Sequence, residues 1–145
     1  MFCDISPTCY KIALQKEIIK RHIKNFLRHE RYADTRQSEP LPCLVADCSS
    51  HLIKRGKGID PVLQENKAVN IKLANARMNG ILIRPGETFS FWHLVGKTTK
   101  RKGYRDGRIL VRNHLLPGIG GGLCNLANTI HRGVLLSPLT VTEFH

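Results

Sequence analysis

At 145 residues the chain has the length of about one domain, and 41% apolar with 23% charged residues is the balance of a folded protein. The 23 Lys plus Arg against 11 Asp plus Glu leave a formal charge of +12, which attracts anionic partners without choosing among nucleic acid, acidic lipid and cell-wall polymer. Aromatic residues are 6% of the chain and are not interleaved with a basic run, which argues against a stacking platform for single-stranded nucleic acid, and no apolar stretch approaches the roughly 18 residues of a membrane span.

The first ten residues, with Cys3, Asp4, Ser6 and Pro7, are unlike a secretory signal, which predicts a cytoplasmic product. Cysteines at 3, 9, 43, 48 and 124 are odd in number and fit a reducing compartment better than a disulfide framework. From Tyr10 to about Tyr32, Ile12, Leu14, Ile18, Ile19, Ile23, Phe26 and Leu27 recur at spacings of mostly three and four, predicting an amphipathic helix. Its other face carries Lys11, Lys16, Lys20, Arg21, Lys24, Arg28 and Arg31. That pattern suits both the solvated face of a packed helix and an acidic membrane surface.

Residues 33–58 read as an irregular linker around the short apolar run Leu44-Val45-Ala46. Cys43, Cys48 and His51 raise the question of zinc, but no fourth ligand completes a site, so neither a metal nor a cofactor is expected. Residues 1–58 are thus expected to form a helix and linker, and 59–145 a domain core.

Asp60-Pro61 has the form of an N-cap followed by proline at the first helical position. Val62, Leu63, Ala68, Val69, Ile71, Leu73, Ala74 and Met78 predict an apolar stripe ending at Asn79-Gly80. Ile81-Leu82-Ile83 and Thr88 to Trp92 read as short strands separated by Arg84-Pro85-Gly86. Lys97, Lys100, Arg101, Lys102, Arg105, Arg108 and Arg112 then form a basic segment whose glycines disfavour a helix. It reads either as a hydrated loop or as a cradle for an anionic substrate. Ile109-Leu110-Val111 is a strand candidate leading through Pro117 into the loop Gly118-Ile119-Gly120-Gly121-Gly122-Leu123-Cys124.

Four glycines in five positions let the backbone take positive φ and approach another group closely. Leu126, Ala127, Ile130, Val134 and Leu135 predict a helix over 125–136 that starts near Cys124, where the positive helix end favours an ionised sulfur. A small buried apolar cysteine is the other reading. Ser137-Pro138 ends the helix, and Thr140 to Phe144 is strand-prone. The fold class expected is α+β: two helices packed with short strands around a central helix that begins at the glycine loop.

The blocks Arg84 to Phe91, Val95-Gly96-Lys97, Arg101-Lys102-Gly103-Tyr104, the glycine and cysteine loop, and Glu143-Phe144-His145 together resemble the VanW-like family, named for an accessory product of glycopeptide (vancomycin) resistance clusters in Gram-positive bacteria. The resemblance extends over Ile5 to Leu27 and Leu63 to Asn70, nearly the whole chain. It departs at Asn125, where family members carry Gln, and at the C-terminus, where they continue beyond the Glu-x-His block; the second departure predicts a truncated product. The resemblance implies a role at the cell envelope, near altered peptidoglycan precursors.

A cysteine at a helix start and a histidine on a following strand make a minimal thiol nucleophile and base, with a carboxylate to orient the imidazole. Here these are Cys124, His145 and Glu143, with the N–H groups of Leu123 and Cys124 as oxyanion donors. On a strand, Glu143 and His145 share a face, so the carboxylate is near the imidazole without being in line with its second nitrogen. His131 stands two helical turns from Cys124, too far to be its base, whereas His93 and His114 lie in loops and stay open. Gly120, Gly121, Gly122, Asn125, Arg101 and Arg112 are the candidate substrate-binding residues. Two readings follow: a hydrolase or transferase using Cys124, or a noncatalytic module that grips an anionic cell-wall fragment or a partner protein.

Overall fold

Asp60 starts the longest element among the described residues for the reason its sequence suggests. In the computed structural model, which describes residues 12–13, 15–20, 23, 30–111 and 114–143, its carboxylate accepts from the backbone N–H of Val62 (2.8 Å) and Leu63 (3.4 Å). Pro61 follows as the first residue of α1, Pro61–Met78, and the helix stops at Asn79 before Gly80, whose φ of 76° suits glycine.

The chain divides into two compact units, one formed by Met1–Ala33 with Ile83–Phe89, the other by Asp34–Leu82 with Ser90–His145. In the first, residues 12–13, 15–20 and 23 are helical, and Ile12, Ile18, Ile19 and Ile23 are exposed. The helix expected from Tyr10 to Tyr32 does not reach its expected end. Glu30 and Arg31 are non-helical and Tyr32 forms a parallel bridge with Thr88, while the remaining expected positions lie outside the described residues. Thr88 donates to the carbonyl of Arg31 (2.8 Å) and accepts from Ala33 (3.1 Å), and Ala33 is buried. A turn at Arg84 to Glu87 closes through the Glu87 N–H and carboxylate.

The second unit contains α1, then α2 (Phe91–Val95), a 3₁₀ turn at Lys100–Lys102, β1 (Asp106–Val111), β2 (His114–Ile119) and α3 (Leu123–Leu135). The two strands pair antiparallel, with Asp106 opposite Ile119 and Val111 opposite His114. α1 packs on β1, α2 and α3, and the buried apolar residues Ala74, Met78, Val95, Tyr104 and Leu123 come from these elements and the turn before β1. The expected α+β class is the observed one.

Local expectations differ in four places. Ile81 to Ile83 is not a strand: Ile81 makes one antiparallel bridge with Arg36, and Leu82 donates to Thr35 (2.9 Å). The strand expected up to Trp92 gives way to α2, because the hydroxyl of Ser90 accepts from the His93 N–H (3.4 Å) and caps a helix that the alternating aromatics had concealed. β2 was not expected, since Leu115, Leu116 and Ile119 are all exposed and give no inward and outward alternation. Pro117 is tolerated there because a strand in a two-stranded sheet has a free edge. The strand expected at Thr140 to Phe144 is absent over its described part, 140–143.

The buried face of α1 also departs from its apolar stripe. Gln64, Lys67, Asn70, Ala74 and Met78 are buried, whereas Val62 is 61% exposed. A helix presenting polar groups inward must find partners for them: Gln64 Oε1 accepts from the Lys54 N–H (3.2 Å), and Asn70 bonds to the backbone of Arg105 and Gly121.

Candidate functional site: the glycine loop and the start of α3

Two asparagines one turn apart on α1 hold the loop in place. Asn70 is fully buried, and its amide nitrogen donates to the carbonyls of Arg105 and Gly121, both at 2.9 Å, while its oxygen accepts from the Arg105 N–H at 2.8 Å. Asn66 donates to the carbonyl of Asp106 at 2.9 Å. The Gly120 N–H also bonds to the Arg105 carbonyl (3.0 Å), so the entry to β1 and the exit from β2 are joined to each other and to α1. Every polar atom of the Asn70 side chain is thereby used in a setting where an unmet one is costly.

The glycines are required by close approach. Gly107 and Gly121 lie backbone to backbone, and a Cβ on Gly107 would stand 2.5 Å from the Gly121 carbonyl oxygen. Gly122 has φ 92°, is the N-cap of α3, and lies against the methylenes of Lys67, which a Cβ there would overlap. Lys67 is 9% exposed. Burial foremost, then the charges of Lys54 and Arg108, hold its pKa below the ordinary lysine value.

Cys124 is the second residue of α3, exposed and free of any disulfide. Within the described residues the backbone N–H groups of Leu123 and Cys124 have no acceptor, whereas that of Asn125 bonds to the Gly122 carbonyl at 3.0 Å. Asn125 is tied to the 33–58 segment: Ser50 Oγ donates to its side-chain oxygen (3.2 Å), and Thr129 Oγ1 lies 3.0 Å from Ser50 Oγ and 2.9 Å from the Asn125 carbonyl. Lys54, in that segment, also lines a groove with His51, Ile53, Arg55 and Ile59.

The other candidates are dispersed. Arg101 is exposed in the 3₁₀ turn, where its neighbour Lys100 pairs loosely with Asp106 at 3.7 Å. Glu143 is exposed, and Arg112 and His145 lie outside the described residues. His93 Nε2 lies 3.0 Å from Asp34 Oδ1, and His114 is exposed at the start of β2. Cys43 and Cys48 are free, and among the described residues no group of three or more His, Cys, Asp or Glu is placed to hold a metal. No helix among them is long and apolar enough to cross a membrane.

Asn66, Lys67 and Asn70 escaped the sequence reading, although a signal was present. Asparagine is a poor residue for a helix interior, and two at i and i+4 mark a face doing something other than filling a core.

A model of the family described as VanW like protein matches residues 66–145. The chain belongs to the VanW-like family. The matched span opens at Asn66 and therefore contains both asparagines, the glycine loop and Cys124. Among curated VanW-like relatives, the "Vancomycin B-type resistance protein VanW" of Enterococcus faecalis is 40% identical over 112 residues, 77% of this chain and 41% of that protein. The "Uncharacterized protein YoaR" of Bacillus subtilis is 33% identical over 79 residues, 54% of this chain and 26% of that protein. This VanW-like chain spans less than half the length of either relative. No solved structure matches it.

Proposed function

We propose that the chain carries the reactive part of a VanW-type accessory protein of glycopeptide resistance, and that it works on cell-wall peptidoglycan material through Cys124. The observation that carries the reading is an exposed sulfur on the second residue of α3, directly after a glycine loop and beside two backbone N–H groups with no acceptor among the described residues. In that reading the sulfur attacks an acyl carbon, and the N–H groups of Leu123 and Cys124 receive the developing oxyanion. His145, oriented by Glu143, takes the thiol proton and gives it to the leaving amine. Gly120, Gly121, Gly122 and Asn125 border the acyl group, and Arg101 and Arg112 attract the anionic remainder of the substrate.

Alkylation by iodoacetamide, followed by peptide mass spectrometry, tests this. Cys124 is expected to react several-fold faster than Cys43, which is also exposed. Equal rates would remove the nucleophile.

A noncatalytic module for anionic cell-wall fragments is the second reading, supported by the exposed basic turn Lys100–Lys102. Replacing Lys100, Arg101 and Lys102 with Ala is then expected to weaken retention on purified cell wall, and unchanged retention rejects it.

A further inference from the structure

The irregular backbone over residues 50–59 is tied to two helices of its own unit. Ser50 Oγ donates to Asn125 Oδ1 on α3 at 3.2 Å, and the Lys54 N–H donates to Oε1 of the buried Gln64 on α1 at 3.2 Å. The Ile59 N–H then closes a turn onto the Gly56 carbonyl at 3.2 Å, and Asp60 caps α1. Between these ties lies a groove of about 640 Å³, lined by His51, Ile53, Lys54, Arg55 and Ile59. That volume falls within the range of small-ligand clefts, roughly 300–1,000 Å³.

The lining is of two kinds. Ile53 and Ile59 are half-buried, whereas His51, Lys54 and Arg55 are exposed. None of these last has an ion-pair partner among the described residues, and no described lining residue is acidic. The adjacent cations at 54 and 55 repel each other, and an anion between them offsets that repulsion.

We propose that this groove binds a small organic anion, an apolar chain ending in a carboxylate. The Arg55 guanidinium matches a carboxylate with two parallel N–H donors, Lys54 supplies a second positive charge, and the His51 ring offers a further N–H. Ile53 and Ile59 receive the chain, which removes from water the apolar surface they still expose. A recess favours a free molecule over a bilayer, which is engaged by apolar side chains that protrude. The site needs neither the Cys124 sulfur nor the Lys100–Lys102 turn, so it stands apart from both readings of function given above.

Hexanoate is the probe, titrated into the full chain by calorimetry at constant ionic strength, with acetate and hexanol as comparisons. It is expected to bind at least about tenfold more tightly than either, since acetate lacks the chain and hexanol lacks the charge. In amide NMR spectra the signals of residues 51–59 are expected to move as it binds. Arg55→Gln is expected to weaken hexanoate about tenfold and Lys54→Met about threefold. The Lys54 backbone bond to Gln64 does not depend on the side chain replaced. Lys57→Met removes an exposed charge of the same loop that is not among the lining residues, and should leave hexanoate binding unchanged.

Binding is read here without any turnover at Cys124, so the groove and the thiol reading are tested separately. Hexanoate binding that falls with Arg55→Gln and not with Lys57→Met supports the site, because it differs from the general attraction of a +12 chain. Hexanoate no tighter than acetate or hexanol, equal losses in the Arg55 and Lys57 variants, or binding to phosphatidylglycerol vesicles with none to free hexanoate overturns it.

Discussion

Asn70 and Gly121, separated by 51 residues in sequence, are joined by a 2.9 Å hydrogen bond from the buried amide to the loop carbonyl. Through the same side chain Arg105 is held at both its N–H and its carbonyl. One residue of α1 therefore fixes the glycine loop against the start of β1, and with it the direction in which α3 and Cys124 leave the loop.

Asn70→Ala is expected to destabilise the fold by on the order of 3 kcal/mol, because it removes three hydrogen bonds and leaves buried backbone groups unmet. Urea denaturation measures the loss. Asn70→Asp should also destabilise, since a carboxylate cannot donate to the carbonyls of Arg105 and Gly121.

Two glycine substitutions should act in opposite directions. At Gly121 an added Cβ meets the backbone of Gly107, so Gly121→Ala is expected to cost about 2 kcal/mol or more by forcing the strand exit away from β1. At Gly133, within α3, an added Cβ meets nothing, and Gly133→Ala should stabilise by about 0.5–1 kcal/mol through helix propensity alone. Thermal midpoints of the two variants, compared with wild type, read both signs.

Alkaline pH should move stability through two buried groups with opposite sign. Lys67 has a folded pKa below its ordinary 10.5, owing to burial and then to Lys54 and Arg108. Between the folded and unfolded values the unfolded chain binds more protons, so its contribution to stability rises with pH there. Tyr104 has a folded pKa above its ordinary 10.0, raised by burial against a smaller opposing effect of Arg77. Above 10.0 the folded state is the one that keeps the proton, and stability falls as pH rises. Lys67→Met is expected to remove the first slope and Tyr104→Phe the second, as followed by denaturation at a series of pH values.

Where capping chemistry is written into adjacent residues, the chain order alone was sufficient. Asp60-Pro61 begins α1, Asn79-Gly80 ends it, and the glycines before Cys124 deliver α3, because each depends on a side chain or a φ angle within a few residues of the position it controls. The resemblance to the VanW-like family was legible for the same reason, since it rests on contiguous blocks.

Tertiary structure alone decided which face of α1 is inward. Val62 and its apolar neighbours predict one stripe, yet Gln64, Lys67 and Asn70 are buried, because Gln64 accepts from the Lys54 N–H, Asn70 donates to the carbonyls of Arg105 and Gly121, and Gly122 leaves room for the Lys67 stem. The same limit hid β2, whose leucines face outward and whose pairing is set by backbone bonds to β1. Periodicity reports the polarity of a segment's own side chains. The polarity of the surface it meets is supplied by residues that folding brings from far along the chain.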